Sequence, residues 1–349
     1  MSSLTVGVCR ETAPGENRVG LVPDLVGPAR ALGPHVLVEA GAGASASMPD
    51  GLFRAAGAQI ATREAVIARA DILVGVRPPV LPTGCRFRQG QVLIALLDPL
   101  SIPFQVRRWA DEGLTAIGLD LVPDTPEAHP MDAAASQGRL IGHQAALFAA
   151  DRFGRPLSGT PGRGSPGAAR ACVIGSGGAA RQAAETLRGL GARVRAVDGP
   201  EGGQVPPFLL EGVDIVVATV RPGRERRPPV RVTARAMAGM RPGAVAVDTA
   251  AGPEGGLVEG VRAEGVTTTA SGVTVMGVGR LLEHIPAAAS TAYARNVTAL
   301  LGRIVRDGTL RIDPADPALA AMIVTRGSLV LHRAVWQRIL DQTALAGLP

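Results

Sequence analysis

Apolar positions in this chain come in short unbroken runs, set between longer stretches with helical spacing. LTVGVC (4–9), HVLVEA (35–40), DILVGV (71–76), QVLIALL (91–97) and TAIGLD (115–120) read as buried strands. The third and fourth are stopped by Pro78-Pro79 and Asp98-Pro99. Between the runs, helices fit residues 23–33, 50–57, 62–69 and 104–112. A long helix-like stretch covers 131–153, followed by the Gly-, Pro- and Ser-rich segment GRPLSGTPGRGSPGAA. The pattern then resumes with strands over 171–175, 193–197, 213–218, 244–248 and 273–276. Helices are expected over 179–190, 232–239 and 290–306, and the tail beyond 307 reads as partly helical.

Strands that alternate with helices favour parallel sheets covered on both faces. The predicted architecture is α/β, with two doubly wound Rossmann-like domains separated by a cleft. The first domain is expected at 1–135, completed by 300–349, and the second at 136–299. A chain of 349 residues is long enough for two cores.

Composition narrows the chemistry. Aromatic residues are only 3%, so the cores must be built from Val, Leu, Ile and Ala. All 36 basic residues are Arg, which excludes a Schiff-base lysine, a P-loop lysine and a lysine general base. The net charge of +6 is spread along the chain, apart from a cluster at Arg221, Arg224, Arg226 and Arg227, and it reads as Arg bias, not as a nucleic-acid surface. The cluster itself suits a phosphate, a partner protein or plain solvent. Cys9, Cys85 and Cys172 have neither C-x-x-C spacing nor a His-rich partner motif, so no disulfide framework and no metal site is expected. The opening MSSLTVGVCRET lacks a basic-then-apolar secretory pattern, and no apolar run is long enough to span a membrane.

The chemistry concentrates in ARACVIGSGGAARQAAETLRGLGARVRAVD. A strand leads into Gly175-Ser176-Gly177-Gly178-Ala179-Ala180, the pattern G-x-G-x-x-A, and a helix follows. Gly175 suits a tight turn, Gly177 lets the backbone approach a pyrophosphate, and Ala180 lets helix pack on strand. Gly178 belongs to the same turn. The free N–H groups of the helix start suit phosphate. Asp198 comes 23 residues after Gly175, where a ribose diol finds its acceptor; it repels a 2′-phosphate, so NAD(H) is favoured over NADP(H). Thr219 and Gly223, after the strand at 213–218, lie on a second turn of the same sheet edge, and Asp248-Thr249 on a third.

The chain resembles the family of alanine dehydrogenase and the NAD-binding alpha subunit of proton-translocating nicotinamide nucleotide transhydrogenase. The likeness is carried by VGVCRETAPGENRVGLVPD, VEAGAGASAS, MDAAASQGRLIGHQAA, MAGMRPGAVAVDTAAGPEGG, GVTVMGV and DPADPALAAMIVTRGSLVLH. The last of these is similar to the end of transhydrogenase domain I. The resemblance implies an oxidoreductase that is cytoplasmic and reaches the inner membrane only through partner subunits. NADP(H)-binding and membrane subunits would be separate chains, and the subunit would form a homodimer. In alanine dehydrogenases an arginine and a lysine hold the substrate carboxylate beside a catalytic histidine, and the matching positions are Arg18, Arg77 and Asp98. The transhydrogenase Arg–Gln–Asp group near the nicotinamide matches Asp124, His129 and Asp132, of which the aspartate is kept. His129 then reads as a polar group near the nicotinamide or as a solvated loop histidine. Three functions stay open: a transhydrogenase subunit passing hydride to NADP⁺, an amino- or oxo-acid dehydrogenase, and a non-catalytic NAD(H)-binding protein.

Overall fold

The computed structural model describes residues 4–159, 167–198, 203–220 and 231–345. The chain divides into two compact units, Met1–Ala133 with Ile285–Pro349, and Ala134–His284.

In the first unit β1 (Thr5–Val8), α1 (Pro23–Ala31), β2 (His35–Glu39), α2 (Asp50–Ala55), β3 (Gln59–Ala61), α3 (Arg63–Arg69) and β4 (Ile72–Val74) are followed by β5 (Val92–Ala95), α4 (Pro103–Asp111) and β6 (Thr115–Gly118). The six strands run parallel in the order β6-β5-β4-β1-β2-β3. Alternate residues feed opposite cores, as the pleat requires. Val6, Val8, Ile72, Val74, Val92 and Ile94 face one core. Leu37, Leu73, Leu93 and Ala116 face the other, where Trp109 of α4 is fully covered.

The second unit opens with α5 (Ala133–Phe153), whose first residue still belongs to the first unit. It continues through β7 (Arg170–Ile174), α6 (Gly177–Gly189), β8 (Arg193–Val197), β9 (Ile215–Ala218), α7 (Ala234–Met237), β10 (Val245–Asp248), β11 (Val266–Thr268) and β12 (Thr274–Gly277). Its sheet order is β11-β12-β10-β9-β7-β8, parallel except for β11. Small side chains dominate one core: Ala145, Ala146 and Ala149 of α5 meet Ala180, Ala183 and Ala184 of α6 above Val173 and Val217. An N-terminal brace holds the sheet, because buried Asp214 accepts from the Arg170 N–H at 2.8 Å and from the Arg155 and Arg241 guanidinium groups at 3.2 Å.

The chain then returns to the first unit as α8 (Pro286–Ile304), the hairpin β13 (Val305–Arg306) and β14 (Thr309–Leu310), α9 (Pro317–Met322), β15 (Ile323–Arg326), β16 (Leu329–Val330) and α10 (Arg333–Leu345). The boundary read near 300 from sequence falls inside α8. That helix packs as one piece, with Tyr293, Ala294, Val297, Leu300 and Leu301 all in the first unit's core. A tail read as partly helical also extends the sheet, since β15 adds antiparallel to β6 and β16 to β15. Thr325 fixes that pairing: its hydroxyl donates to the Leu114 carbonyl at 2.7 Å and accepts from the Ala116 N–H at 3.1 Å. The short edge strands β3 and β11 were also absent from the sequence reading. Elsewhere the expected strands and helices are present with ends shifted by a few residues, and α6 begins at Gly177 instead of Ala179.

Among the described residues no helix is long and apolar enough to cross a membrane. Tyr293, the sole tyrosine, is fully buried and donates its hydroxyl to the Gly75 carbonyl at 2.8 Å, tying α8 to the end of β4. Tyr293→Phe leaves that carbonyl without its donor and should cost about 1–2 kcal/mol. Urea unfolding should show a lower midpoint with an unchanged slope; an unchanged midpoint would mean that the bond contributes nothing net.

Candidate functional site

Ligands of open parallel sheets bind beyond the carboxyl ends of the strands. Both units carry polar groups there.

In the second unit the turn after β7 is built for close approach. Gly175 has φ +122° and Gly177 has φ +83°, conformations that side chains with a Cβ rarely adopt. A Cβ on Gly175 would lie 2.3 Å from the Thr219 carbonyl oxygen, so any larger residue must push apart the ends of β7 and β9. Thr219 is buried, and its N–H donates to the Ile174 carbonyl at 2.9 Å, which holds it beside the turn. Ser176 precedes α6 in an extended conformation and makes no side-chain cap bond to the helix. The first N–H groups of α6 therefore keep the dipole and donors suited to an anion. Gly178 faces the Ala135 carbonyl, 3.0 Å from where a Cβ would stand, and Ala180 is buried in the core. The backbone of α6 is set by α5: a Cβ on Gly142 would meet the Ala179 carbonyl oxygen at 2.0 Å. Asp198 follows β8 with its side chain exposed. The structure thus brings Gly175, Gly177, Gly178, Ala180 and Thr219 together and sets Asp198 at the end of the neighbouring strand. Gly223, the Arg221–Arg227 cluster and Gly199-Pro200 lie outside the described residues.

Asp248, the last residue of β10, is fully buried. Its carboxylate accepts from the N–H groups of Ala250, Leu257 and Val258 at 2.8, 2.6 and 2.8 Å. Burial pushes its carboxyl up, and these donors oppose the shift. Its role is to fold the loop 249–258 against the strand end. The turn, the uncapped helix start and the exposed acid fit the pyrophosphate and ribose of a dinucleotide.

In the first unit the strand ends gather acids and arginines. Arg18 is buried and forms a two-pronged ion pair with Glu16, with Nε 2.6 Å from one carboxylate oxygen and Nη2 2.5 Å from the other. Arg77 is half exposed, and its Nε lies 3.7 Å from the same Glu16 carboxylate. Glu11 accepts from the Val76 N–H at 2.6 Å and the Arg77 N–H at 3.2 Å, joining the end of β1 to that of β4. Burial drives the Glu11 carboxyl from the usual 4.5 up to about 7, with Glu16 pushing the same way against the two N–H donors and Arg18. Asp98 is exposed with φ +42°, and its N–H donates to Asp120, which also accepts from Leu97. Burial raises the Asp120 carboxyl too.

Asp132 directly precedes α5. His129 lies in the short turn before it, exposed, its ring nitrogen 3.4 Å from Asp124. Glu11, Glu16, Asp120 and Tyr293 were not singled out from the sequence, and Asp248 was noted only as part of a strand-end turn. One signal was available: Glu11, Asp120 and Asp248 are the first acids after the apolar runs of β1, β6 and β10. Among the described residues no group of three His, Cys, Asp or Glu side chains is placed to hold a metal.

Residues 7–141 match the N-terminal domain model described as alanine dehydrogenase/PNT, and residues 208–333 match the C-terminal model of the same description. The chain is 29% identical to the NAD(P) transhydrogenase subunit alpha of Cereibacter sphaeroides, over 94% of this chain and 70% of that one. It is 30% identical to the alanine dehydrogenase of Mycolicibacterium smegmatis, over 95% and 96%. Among solved structures, a transhydrogenase from Sinorhizobium meliloti superposes with a TM-score of 0.81 at 31% identity, covering 93% of this chain and 99% of that one.

The Glu11 shift has a consequence for stability. The folded state holds this proton up to about pH 7, whereas a solvated glutamate releases it near 4.5. Protonated Glu11 therefore favours the folded state most below pH 4.5, and that contribution is lost between 4.5 and 7. At about 1.4 kcal/mol per pKa unit, the change is on the order of 3 kcal/mol. Glu11→Gln removes the titration. The difference in unfolding free energy between variant and wild type should rise in the variant's favour from pH 4.5 to 7 and then level off. A difference independent of pH would refute the shift.

Proposed function

The chain belongs to the alanine dehydrogenase/PNT family, and on that premise we propose that it is the NAD(H)-binding alpha subunit of an NAD(P) transhydrogenase. It passes hydride to NADP⁺ held by a separate subunit, and a membrane subunit couples the transfer to proton movement. Two copies of this chain form the working homodimer on the cytoplasmic side. The observation that carries this reading is the turn at Gly175–Ala180: two glycines at positive φ, an uncapped α6 behind them, and Asp198 at the end of the next strand.

NAD(H) supplies the hydride when bound. Its pyrophosphate is held by the N–H groups of Gly177 and Gly178 at the start of α6. Gly175, Ala180 and Thr219 keep that turn tight. Asp198 takes the ribose hydroxyls. Asp132 and His129 orient the reacting end, Asp132 as the anion favoured at a helix start. In a transhydrogenase the second nicotinamide is the hydride acceptor, so no side chain need act as acid or base on a small substrate. The intramolecular Arg18–Glu16 pair suits that reading, because it already supplies the carboxylate that a substrate would bring.

One observation favours a second reading. Glu11, with a carboxyl near neutrality beside Arg18 and Arg77, is a group able to move a proton in an amino- or oxo-acid dehydrogenase. Reduction of NAD⁺ by L-alanine, with loss of activity in Glu11→Gln, would select it.

Calorimetric titration should show NADH binding at least roughly tenfold tighter than NADPH, and Gly175→Ala should weaken NADH by about as much, near 1.4 kcal/mol. Asp198→Asn should narrow the preference. Equal binding of both nucleotides would sink the role of Asp198, and no binding of either would sink the cofactor site. With the NADP(H) subunit supplied, Asp132→Asn should slow hydride transfer by roughly tenfold at unchanged NADH affinity. An unchanged rate would limit Asp132 to starting the helix.

A further inference from the structure

The doubly wound dinucleotide fold places a third strand outside the second, in the order 3-2-1-4-5-6. Here β8 is the second strand and it ends the sheet. From β8 the chain passes to β9 on the far side of β7, and among the described residues of that connection the only helix is the short turn Pro207–Leu209. A fold that ordinarily carries a third strand at this edge therefore leaves the edge of β8 open.

The edge has a defined set of groups. The Arg193 N–H donates to the Ala169 carbonyl, and the Val197 carbonyl accepts from the Gly175 N–H, so Arg193, Arg195 and Val197 bond inward to β7. Strand alternation then turns the N–H and C=O groups of Val194 and Ala196 outward. Ala196, Arg193 and Arg195 are exposed, so among the described residues nothing covers this row. Beside it lies a hollow of about 690 Å³, lined by Arg170, Arg193, Arg195, Phe208 and Cys172, with Phe208 70% exposed. Arg193 and Arg195 stand on the hollow's side of the strand. Arg170 is tied to the Gly212 and Glu211 carbonyls and the Glu211 side chain also lines the hollow, so Arg193 and Arg195 are the charges that β8 itself carries beside its open edge.

We propose that the open edge of β8 is a docking site for an extended acidic polypeptide segment of a partner protein, which adds as the missing outer strand. Backbone pairing to Val194 and Ala196 supplies affinity, and acidic side chains on alternate positions meet Arg193 and Arg195. Charge decides between occupants. A second copy of this chain pairing through β8 would set Arg193 and Arg195 of both copies on one face of the joined sheet, which like-charge repulsion opposes. An acidic strand removes that repulsion, and its apolar alternates can rest on the side of Val194 and Ala196. Edge arginines also discourage indiscriminate pairing, so the surface is selective as well as open.

The probe is a fluorescein-labelled peptide of alternating valine and glutamate, long enough to span β8. It is compared with a valine–lysine peptide and with the same acidic peptide N-methylated at alternate residues. Fluorescence anisotropy should show saturable binding of the acidic peptide, at least roughly tenfold tighter than either control. Amide exchange at Val194 and Ala196 should slow on binding. Arg193→Glu combined with Arg195→Glu should reverse the charge preference while the melting temperature holds. The N-methylated peptide tests pairing on the unaltered protein, so a misfolded variant does not decide the matter. Equal binding of the methylated and unmethylated peptides would overturn strand addition, and equal binding of acidic and basic peptides would overturn the arginines' role. No saturable binding, or a dimer of this chain that excludes the peptide, would overturn the proposal.

Discussion

Backbone meets backbone where α5 crosses the start of α6, and the glycine turn at Gly175–Ala180 depends on that contact. No side chain fits between Gly142 and the Ala179 carbonyl, or between Gly175 and the Thr219 carbonyl. These two near-contacts fix the first turn of α6 from the side and from below. A phosphate site made of N–H groups has no side chain to adjust, so its precision must come from the helix that carries it. The stripe of Gly and Ala along α5 and α6 therefore serves the site as well as the core: small residues let the helix axis come close and leave it little room to shift.

Acids wholly or partly buried at the strand ends form a second layer of control. Glu11, Asp120 and Asp248 each sit at or just past the end of a strand, and each accepts two or three backbone N–H groups from a neighbouring strand end or loop. Burial opposes their charge while the N–H donors favour it. At Glu11 the balance brings the carboxyl to about 7. The chain has no lysine, so its cations are permanently charged guanidinium groups. Proton movement in these clusters falls to the carboxyl groups. The Arg18–Glu16 pair shows the same habit, with a planar arginine held at both prongs.

The sequence by itself determined the two α/β units, the parallel strands and the dinucleotide turn. These are local or periodic properties. A buried parallel strand must be an apolar run, and a tight turn under a phosphate must be glycine, so both are written within a few consecutive residues. Only the tertiary structure decided the rest. The strand β15 pairs with a segment some two hundred positions earlier through Thr325, β16 adds to β15, and nothing in their local pattern announces it. Tyr293 reaches Gly75 across 218 positions, and Glu11 reaches Val76 across 65. Whether an acid such as Glu11 or Asp120 is a solvated loop residue or a buried acceptor depends on which strand ends become neighbours. That follows from sheet order, and so does the open edge of β8, because a strand's partners are chosen by the whole sheet and not by the strand.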